Sequence, residues 1–190
     1  MKELTKADRE KRNFMKGVTV LCDTREKQNS HILNTLDYWQ VNHQNVKLPY
    51  GDYSFLIDEL DFRLNYAIER KAGIAELWKN ITTERDRFEK ELHALKAMTG
   101  NPVLIIENVE SRAYLKNYYI DDETAERQQR KIRDVGMRID ATLNSWECPN
   151  RFGLQVHCIR NKADTAVTML SMMYYEYRNF HELIKPMQRE

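Results

Sequence analysis

Between Thr82 and Glu107 the chain spells out a helix followed by a strand, and that succession limits the folds open to it. Phe88, Leu92, Leu95 and Met98 recur at helical spacing, Thr82 or Thr83 can cap the helix, and Gly100 stops it. Pro102 then precedes Val103 to Ile106, a continuous apolar run bounded by Glu107 that reads as a central strand covered on both faces. The rest of the chain repeats the rhythm. Val18 to Cys22 reads as a buried strand delivering Asp23 at its carboxyl end, and Ser30 can cap a helix carrying Ile32, Leu33, Leu36 and Trp39. Val46 to Leu48 and Tyr53 to Ile57 are strand-like and flank the turn signal Pro49-Tyr50-Gly51-Asp52. Asp58 to Asp61 reads as a hairpin connection, and Leu64 to Arg70 as a further strand, broken at Gly73.

Asp121 to Glu123 place negative charge at the start of an expected long helix with Ile132, Val135, Ile139, Leu143 and Trp146 on its apolar side, punctuated by Pro149 and Gly153. Leu154 to Ile159 reads as another strand and Ala163 to Tyr177 as a last helix. On that helix Val167, Leu170, Met173, Tyr174 and Tyr177 form an apolar face, which Met169, Met172 and Tyr175 widen. So apolar a helix belongs deep in a core or against another subunit. Strand, helix, strand alternation predicts an α/β layered domain. The 190 residues suit one such domain, over residues 17–182. A basic arm or short helix, residues 1–16, precedes it, and a short tail, residues 183–190, follows.

Composition excludes more than it assigns. With 31% charged and 42% hydrophobic residues the chain is globular, and a net charge of +1 means that any nucleic-acid binding must come from locally concentrated Lys and Arg. Cys22, Cys148 and Cys158 lack the spacing of a disulfide framework or zinc knuckle, and the five histidines lack metal spacing. There is no secretory apolar region, and no run of about 18 apolar residues that would span a membrane. A soluble intracellular protein, in cytoplasm or nucleoid, is expected, with a viral origin left open.

The residue pattern that carries chemistry is Asp52 with Glu69-Arg70-Lys71. Glu69 and Lys71 stand two apart on an expected strand, so both side chains share a face. Hydrolysis of a phosphodiester needs carboxylates converging on a divalent cation, and magnesium is served by two carboxylates, a carbonyl and water. Asp52, at the turn upstream, can supply the second carboxylate, while Lys71 orients or polarises a water. Each fragment alone is more often a solvated charge pair. Their joint placement at strand ends raises the reading above that background.

Those residues resemble the XPF family of structure-specific endonucleases, whose nuclease domain is of the ERCC4 type. Asp23-Thr24-Arg25-Glu26 is similar to its opening Asp-x-Arg-Glu, Gly51-Asp52-Tyr53 to its Gly-Asp-Tyr, and Glu69-Arg70-Lys71 to its Glu-Arg-Lys. Arg87-Phe88 with Glu91 and Leu95 looks like the family's Arg-Leu and Gln helix, and Pro102 to Glu107 like its Pro-x-Leu-Ile-Ile-Glu strand. The resemblance implies a restriction-endonuclease-like fold, a central mixed β-sheet flanked by helices on both faces (α/β/α). It also implies cleavage of DNA to 5′-phosphate and 3′-hydroxyl ends with Mg2+ or Mn2+ as cofactor, and no nucleotide cofactor. By resemblance Asp52, Glu69 and the Arg70 carbonyl hold the metal, Lys71 handles the water, and Asp23 and Glu26 support the site. Arg25 and Arg87 are read as phosphate contacts or as partners of the acids.

The chain departs from the pattern at Ala75, where the family places an Asp; Glu76, one residue on, either substitutes or leaves that acid dispensable. No tandem helix-hairpin-helix module follows within these 190 residues. A dimer, a partner or the domain's own Lys/Arg surface is then expected to hold the DNA, preferably branched, flapped or with a single-strand to duplex junction. Related domains pair through their C-terminal helices, which fits a homodimer through Met169 to Tyr177. The competing expectation is a catalytically silent scaffold of the same fold that binds DNA and supports a partner nuclease.

Overall fold

The computed structural model describes residues 5–119 and 134–184, and the expected helix start at Asp121 to Glu123, with Ile132, lies outside the described residues. The chain divides into two compact units, residues 1–67 with 163–190, and residues 68–162.

The first unit contains α1 (Lys6–Gly17), β1 (Val18–Asp23), α2 (Ser30–Tyr38), β2 (Asn42–Val46), β3 (Tyr53–Ile57) and β4 (Leu60–Asp61). β1 pairs in parallel with β2 and antiparallel with β3, and β3 in turn pairs antiparallel with β4, so its strands form a mixed sheet. Of the short segment expected to be an arm or helix, the described part is helical, opened by a capping box between Thr5 and Asp8. Its one buried residue, Phe14, packs edge-on against Phe55 and Tyr174. β2 lies earlier than expected: Asn42, His43, Gln44 and Asn45 are polar, and of the strand-like segment Val46 to Leu48 only Val46 belongs to the strand. A strand partnered on one side needs little apolar pattern, because its backbone pairing with β1 is enough to hold it. α2 is preceded by Asn29 at the cap position, not Ser30, which is the first helical residue. The last helix of the chain, α7 (Thr165–Ile184), enters through a 3-10 turn at Lys162–Asp164 and buries Met169, Leu170, Met173 and Tyr174. Val167 and Tyr175 of the expected apolar face are exposed.

The second unit contains β5 (Ile68–Lys71), α3 (Ile74–Ile81), α4 (Arg85–Thr99), β6 (Val103–Glu107), α5 (Arg112–Lys116), α6 (Val135–Glu147) and β7 (Gln155–Ile159). β5, β6 and β7 pair in parallel, with β6 between the other two, and every residue of β5 and β6 is buried, as strands covered on both faces should be. β5 begins at Ile68, not Leu64, because Arg63 to Asn65 turn: the amides of Asn65 and Tyr66 both donate to the carbonyl of Phe62. α3 was not expected; Gly73 does not merely break the strand but stands at the cap position of this eight-residue helix. α4 starts after Glu84, one or two residues later than its Thr caps would have it, and ends at Gly100 with φ of 74°, the left-handed stop expected there. α6 meets α5 with no room for a side chain at Gly136, whose backbone N–H donates to the Tyr118 carbonyl. A Cβ on Gly136 would stand 2.5 Å from the carbonyl oxygens of Leu115, Lys116 and Tyr118. Among the described residues no helix is long and apolar enough to cross a membrane.

Candidate active site

In the first unit the strand end β1 and the Gly51-Asp52 turn are joined through the main chain. The backbone N–H of Asp23 donates to the Asp52 carbonyl at 2.8 Å, and Gly51 takes the left-handed φ of 76° that the turn requires. Asp52 is half-buried. The Asp23 carboxylate is almost fully buried and accepts four hydrogen bonds. Oδ1 takes the backbone N–H and Nε of Arg25, at 2.8 and 2.6 Å, and Oδ2 takes Nη2 of Arg25 and the Leu48 N–H, at 3.0 and 2.7 Å. Burial pushes this carboxyl up, but the Arg25 and Leu48 bonds overcome it and hold it below its ordinary value. With about four lone-pair directions on a carboxylate, these bonds commit Asp23 to clasping the strand end to the Leu48 segment. Glu26, half-buried, accepts from the Gln28 N–H at 2.8 Å.

In the second unit Glu69, Arg70 and Lys71 form the last three residues of β5, and the pleat alternates their side chains. Lys71 Nζ donates to Glu69 Oε1 at 2.7 Å, stands 3.7 Å from Glu76 Oε1, and lies 4.6 Å from the centroid of the Phe88 ring. An ammonium over an aromatic face and between two carboxylates is attracted from each of those sides. Glu69, 6% exposed, has its carboxyl raised by burial, with Lys71 opposing the rise and Glu91 and Glu76 adding to it. Glu76, in the first turn of α3, uses its other oxygen to accept the Ala72 N–H at 2.8 Å, so it bridges the strand end and the ammonium. Arg70 points the other way: its Nη2 donates to Glu107 Oε2 at 2.7 Å, both side chains buried. Asn108 Nδ2 bonds the Ala72 carbonyl at 3.0 Å and ties the ends of β5 and β6. Arg87, half-exposed on α4, bonds Glu84 at 2.5 Å and Glu91 at 2.6 Å, so its guanidinium engages acids of its own helix.

Two members of this cluster had no assigned role in the sequence. Glu107 was read as the end of an apolar run and Phe88 as a core position, and the family motifs that contain them gave neither a part in the site. The signal for Glu107 was an acid closing a buried strand, which demands a cation, with Arg70 in an equally apolar strand needing an acid.

The ERCC4 domain family model matches residues 22–172. The chain belongs to that family. A search of curated proteins finds no match. Among solved structures the chain is similar to XPF from Aeropyrum pernix, at 16% identity and a TM-score of 0.56, over 83% of this chain and 61% of that one. It is also similar to XPF from the same organism in complex with DNA, at 17% identity and a TM-score of 0.57, over 85% of this chain and 66% of that one. The chain thus spans less than two thirds of the length of either structure. At such identities the likeness shows the ERCC4 chain to have an XPF nuclease-type α/β fold.

Among the described residues no group of three or more His, Cys, Asp or Glu could hold a metal ion. A two-carboxylate magnesium site falls below that count. The donors present suit a hard cation in kind: Glu69 Oε1 is taken by Lys71, and Oε2 of this buried carboxylate accepts no hydrogen bond among the described residues. A carboxylate oxygen left open at a strand end fits an oxygen-seeking ion.

Proposed function

We propose that this ERCC4 domain is a divalent-metal-dependent DNA endonuclease, selective for flaps, forks or junctions, acting in DNA repair, recombination or replication. The observation that carries the reading is the buried Glu69–Lys71 pair, with one oxygen of Glu69 uncommitted. In this reading Glu69, Asp52 and the Arg70 carbonyl hold Mg2+ or Mn2+. A cation so held neutralises charge developing on the phosphate and lowers the pKa of a water.

The protein's own groups do the rest. Lys71 Nζ, steered by Glu69, Glu76 and the Phe88 ring, donates a hydrogen bond to the attacking water and orients it toward phosphorus. Glu76 stands in for the acid missing at Ala75 by keeping that ammonium in place. Asp23, through Arg25 and its own N–H, fixes the turn that carries Asp52. Glu26 is assigned a supporting part beside Asp23, and Arg70 and Arg87 anchor acids rather than phosphates. DNA is the partner, as it is for the DNA-bound XPF to which the chain is similar. The exposed Val167 and Tyr175 on α7 support a homodimer through that helix.

The test is cleavage of labelled flap, fork, four-way junction and plain duplex DNA with magnesium or manganese, beside Asp52→Ala, Glu69→Gln and Lys71→Ala variants whose folding is checked by circular dichroism. Wild type is expected to cut a branched substrate and folded variants to lose more than about a hundredfold in rate. Equal cleavage by all four proteins would remove the site. DNA binding without cleavage by wild type would leave a scaffold.

A further inference from the structure

The second unit has a concavity of about 310 Å³ where the end of α3 and the first turn of α4 face α6, and the described residues that line it include no acid. Trp78, Thr82, Arg85, Arg138 and Thr142 contribute its aromatic, hydroxyl and guanidinium groups. The larger cavity of the first unit, about 440 Å³, differs in kind, because Glu10, Asp58 and Glu182 line it alongside its cations.

The Thr82 hydroxyl donates to the Trp78 carbonyl, but other donors here have no acceptor among the described residues. The Arg138 side chain, exposed on α6, makes no hydrogen bond or ion pair among the described residues. Arg85 engages Glu89 through Nε alone, at 2.9 Å, which leaves its two terminal nitrogens uncommitted among those residues. The half-buried Thr142 hydroxyl likewise has no partner among them. Two guanidinium forks and a hydroxyl facing one concavity, with no carboxylate among the described residues that line it, are the chemistry that recognises a phosphate. The volume is roughly ten times the 30 Å³ share of one water, room for a phosphate with part of its sugar.

The concavity is also tied to the Lys71 cluster. Arg85 and Phe88 stand three residues apart on α4, on neighbouring positions of one side, and Phe88 is the ring beneath Lys71. We propose that Arg138, Arg85 and Thr142 form a second phosphate-binding site, taking a backbone phosphate of the DNA away from the bond being cut. This rests on the endonuclease reading for its choice of DNA as the source of the phosphate.

The experiment is a salt titration of binding to a fluorescein-labelled DNA fork, read by anisotropy in metal-free buffer so that no cleavage intervenes. Wild type, Arg138→Gln, Arg138→Lys and Lys96→Gln are compared. Lys96 lies near the other end of α4, eleven residues from Arg85 and so about 16 Å along the helix, and controls for the loss of a charge. Arg138→Gln should reduce the slope of log affinity against log salt by about 0.7 to 0.9, the contribution of one phosphate contact. Arg138→Lys and Lys96→Gln should keep the slope, and thermal unfolding of Arg138→Gln should match wild type, because Arg138 has no partner among the described residues to lose. An unchanged slope in Arg138→Gln, or an equal fall in Lys96→Gln, would overturn the site. Metal-dependent cleavage by wild type together with an unchanged Arg138→Gln slope would sink this inference alone. A reduced slope without cleavage would sink the nuclease reading alone, and a wild type that does not bind the fork would sink both.

Discussion

Replacing Lys71 by methionine isolates what the ammonium does for the acid beside it. Glu69 is buried and its carboxyl already lies above the ordinary 4.5 because of that burial, with Lys71 limiting the rise. In Lys71→Met the opposing charge is gone, while burial, Glu91 and Glu76 continue to push upward. The folded variant can then take up a proton, and that route caps the cost of the lost partner. Protonating a carboxyl of pKa 4.5 at pH 7 costs 2.5 pH units of 1.36 kcal/mol each, about 3.4 kcal/mol. Near pH 5 the same cap falls to about 0.7 kcal/mol. The sign follows from the direction of the shift: a raised carboxyl keeps its proton in the folded state after the unfolded chain has released it. Stability is therefore full below about 4.5 and lost as pH rises toward the folded value. Urea unfolding of wild type, Lys71→Met and Glu69→Gln/Lys71→Met near pH 5 and pH 7 measures this, with other titrating groups cancelling in the differences. Lys71→Met should lose up to about 2.7 kcal/mol more at the higher pH, and the double variant should not. The same loss at both pH values would refute the account.

Arg70→Met leaves Glu107 buried without its guanidinium and should cost about 3–5 kcal/mol in urea unfolding, whereas Arg70→Met/Glu107→Leu should recover most of it. A double variant no better than the single one would show that the pair is not what Arg70 contributes. Gly136→Ala should destabilise by about 3 kcal/mol, against the helix-propensity gain of about 1 kcal/mol that alanine brings elsewhere, because its methyl would meet three carbonyl oxygens; a melting temperature at or above wild type would contradict the close packing of α5 and α6. The Cys22 thiol, buried and pushed up to about 12, should resist an aromatic disulfide reagent in the native protein, while exposed Cys148 reacts within the mixing phase of the assay. Early labelling of Cys22, read by peptide mass, would show β1 opening locally.

The sequence carried those parts of the fold in which burial shapes the side-chain pattern. β1, β3 and β6 were legible because their residues are almost all buried, and α4 because Phe88, Leu92 and Leu95 are its buried stripe. β2 was not legible: partnered by β1 and largely exposed, it answers to backbone pairing, and nothing in Asn42 to Asn45 records that. α3 was obscured by its shortness and by Gly73, which reads as an interruption until the turn after β5 is seen. Within the site the strand period alone put Glu69 and Lys71 side by side, as their 2.7 Å contact shows. The Arg70–Glu107 pair needed the parallel register of β5 on β6, which sets Arg70 opposite Ile105, two residues before Glu107. Such register is a tertiary fact and leaves no local mark.

The two-pronged hold of Glu76 bears on how chains of this kind are found. One oxygen caps the Ala72 amide and the other faces Lys71, from a position one residue beyond the Ala75 that a fixed-spacing pattern would inspect. On the role proposed for Glu76, a glutamate in the first turn of a helix, longer than aspartate by one methylene, starts a residue later and reaches the same lysine. A search string that demands the acid at a set distance from the lysine would reject this sequence, whereas one that allows a longer acid a residue downstream would keep it. The tolerance belongs to the helix turn, so divergent members of the family can be sought by reach instead of by count.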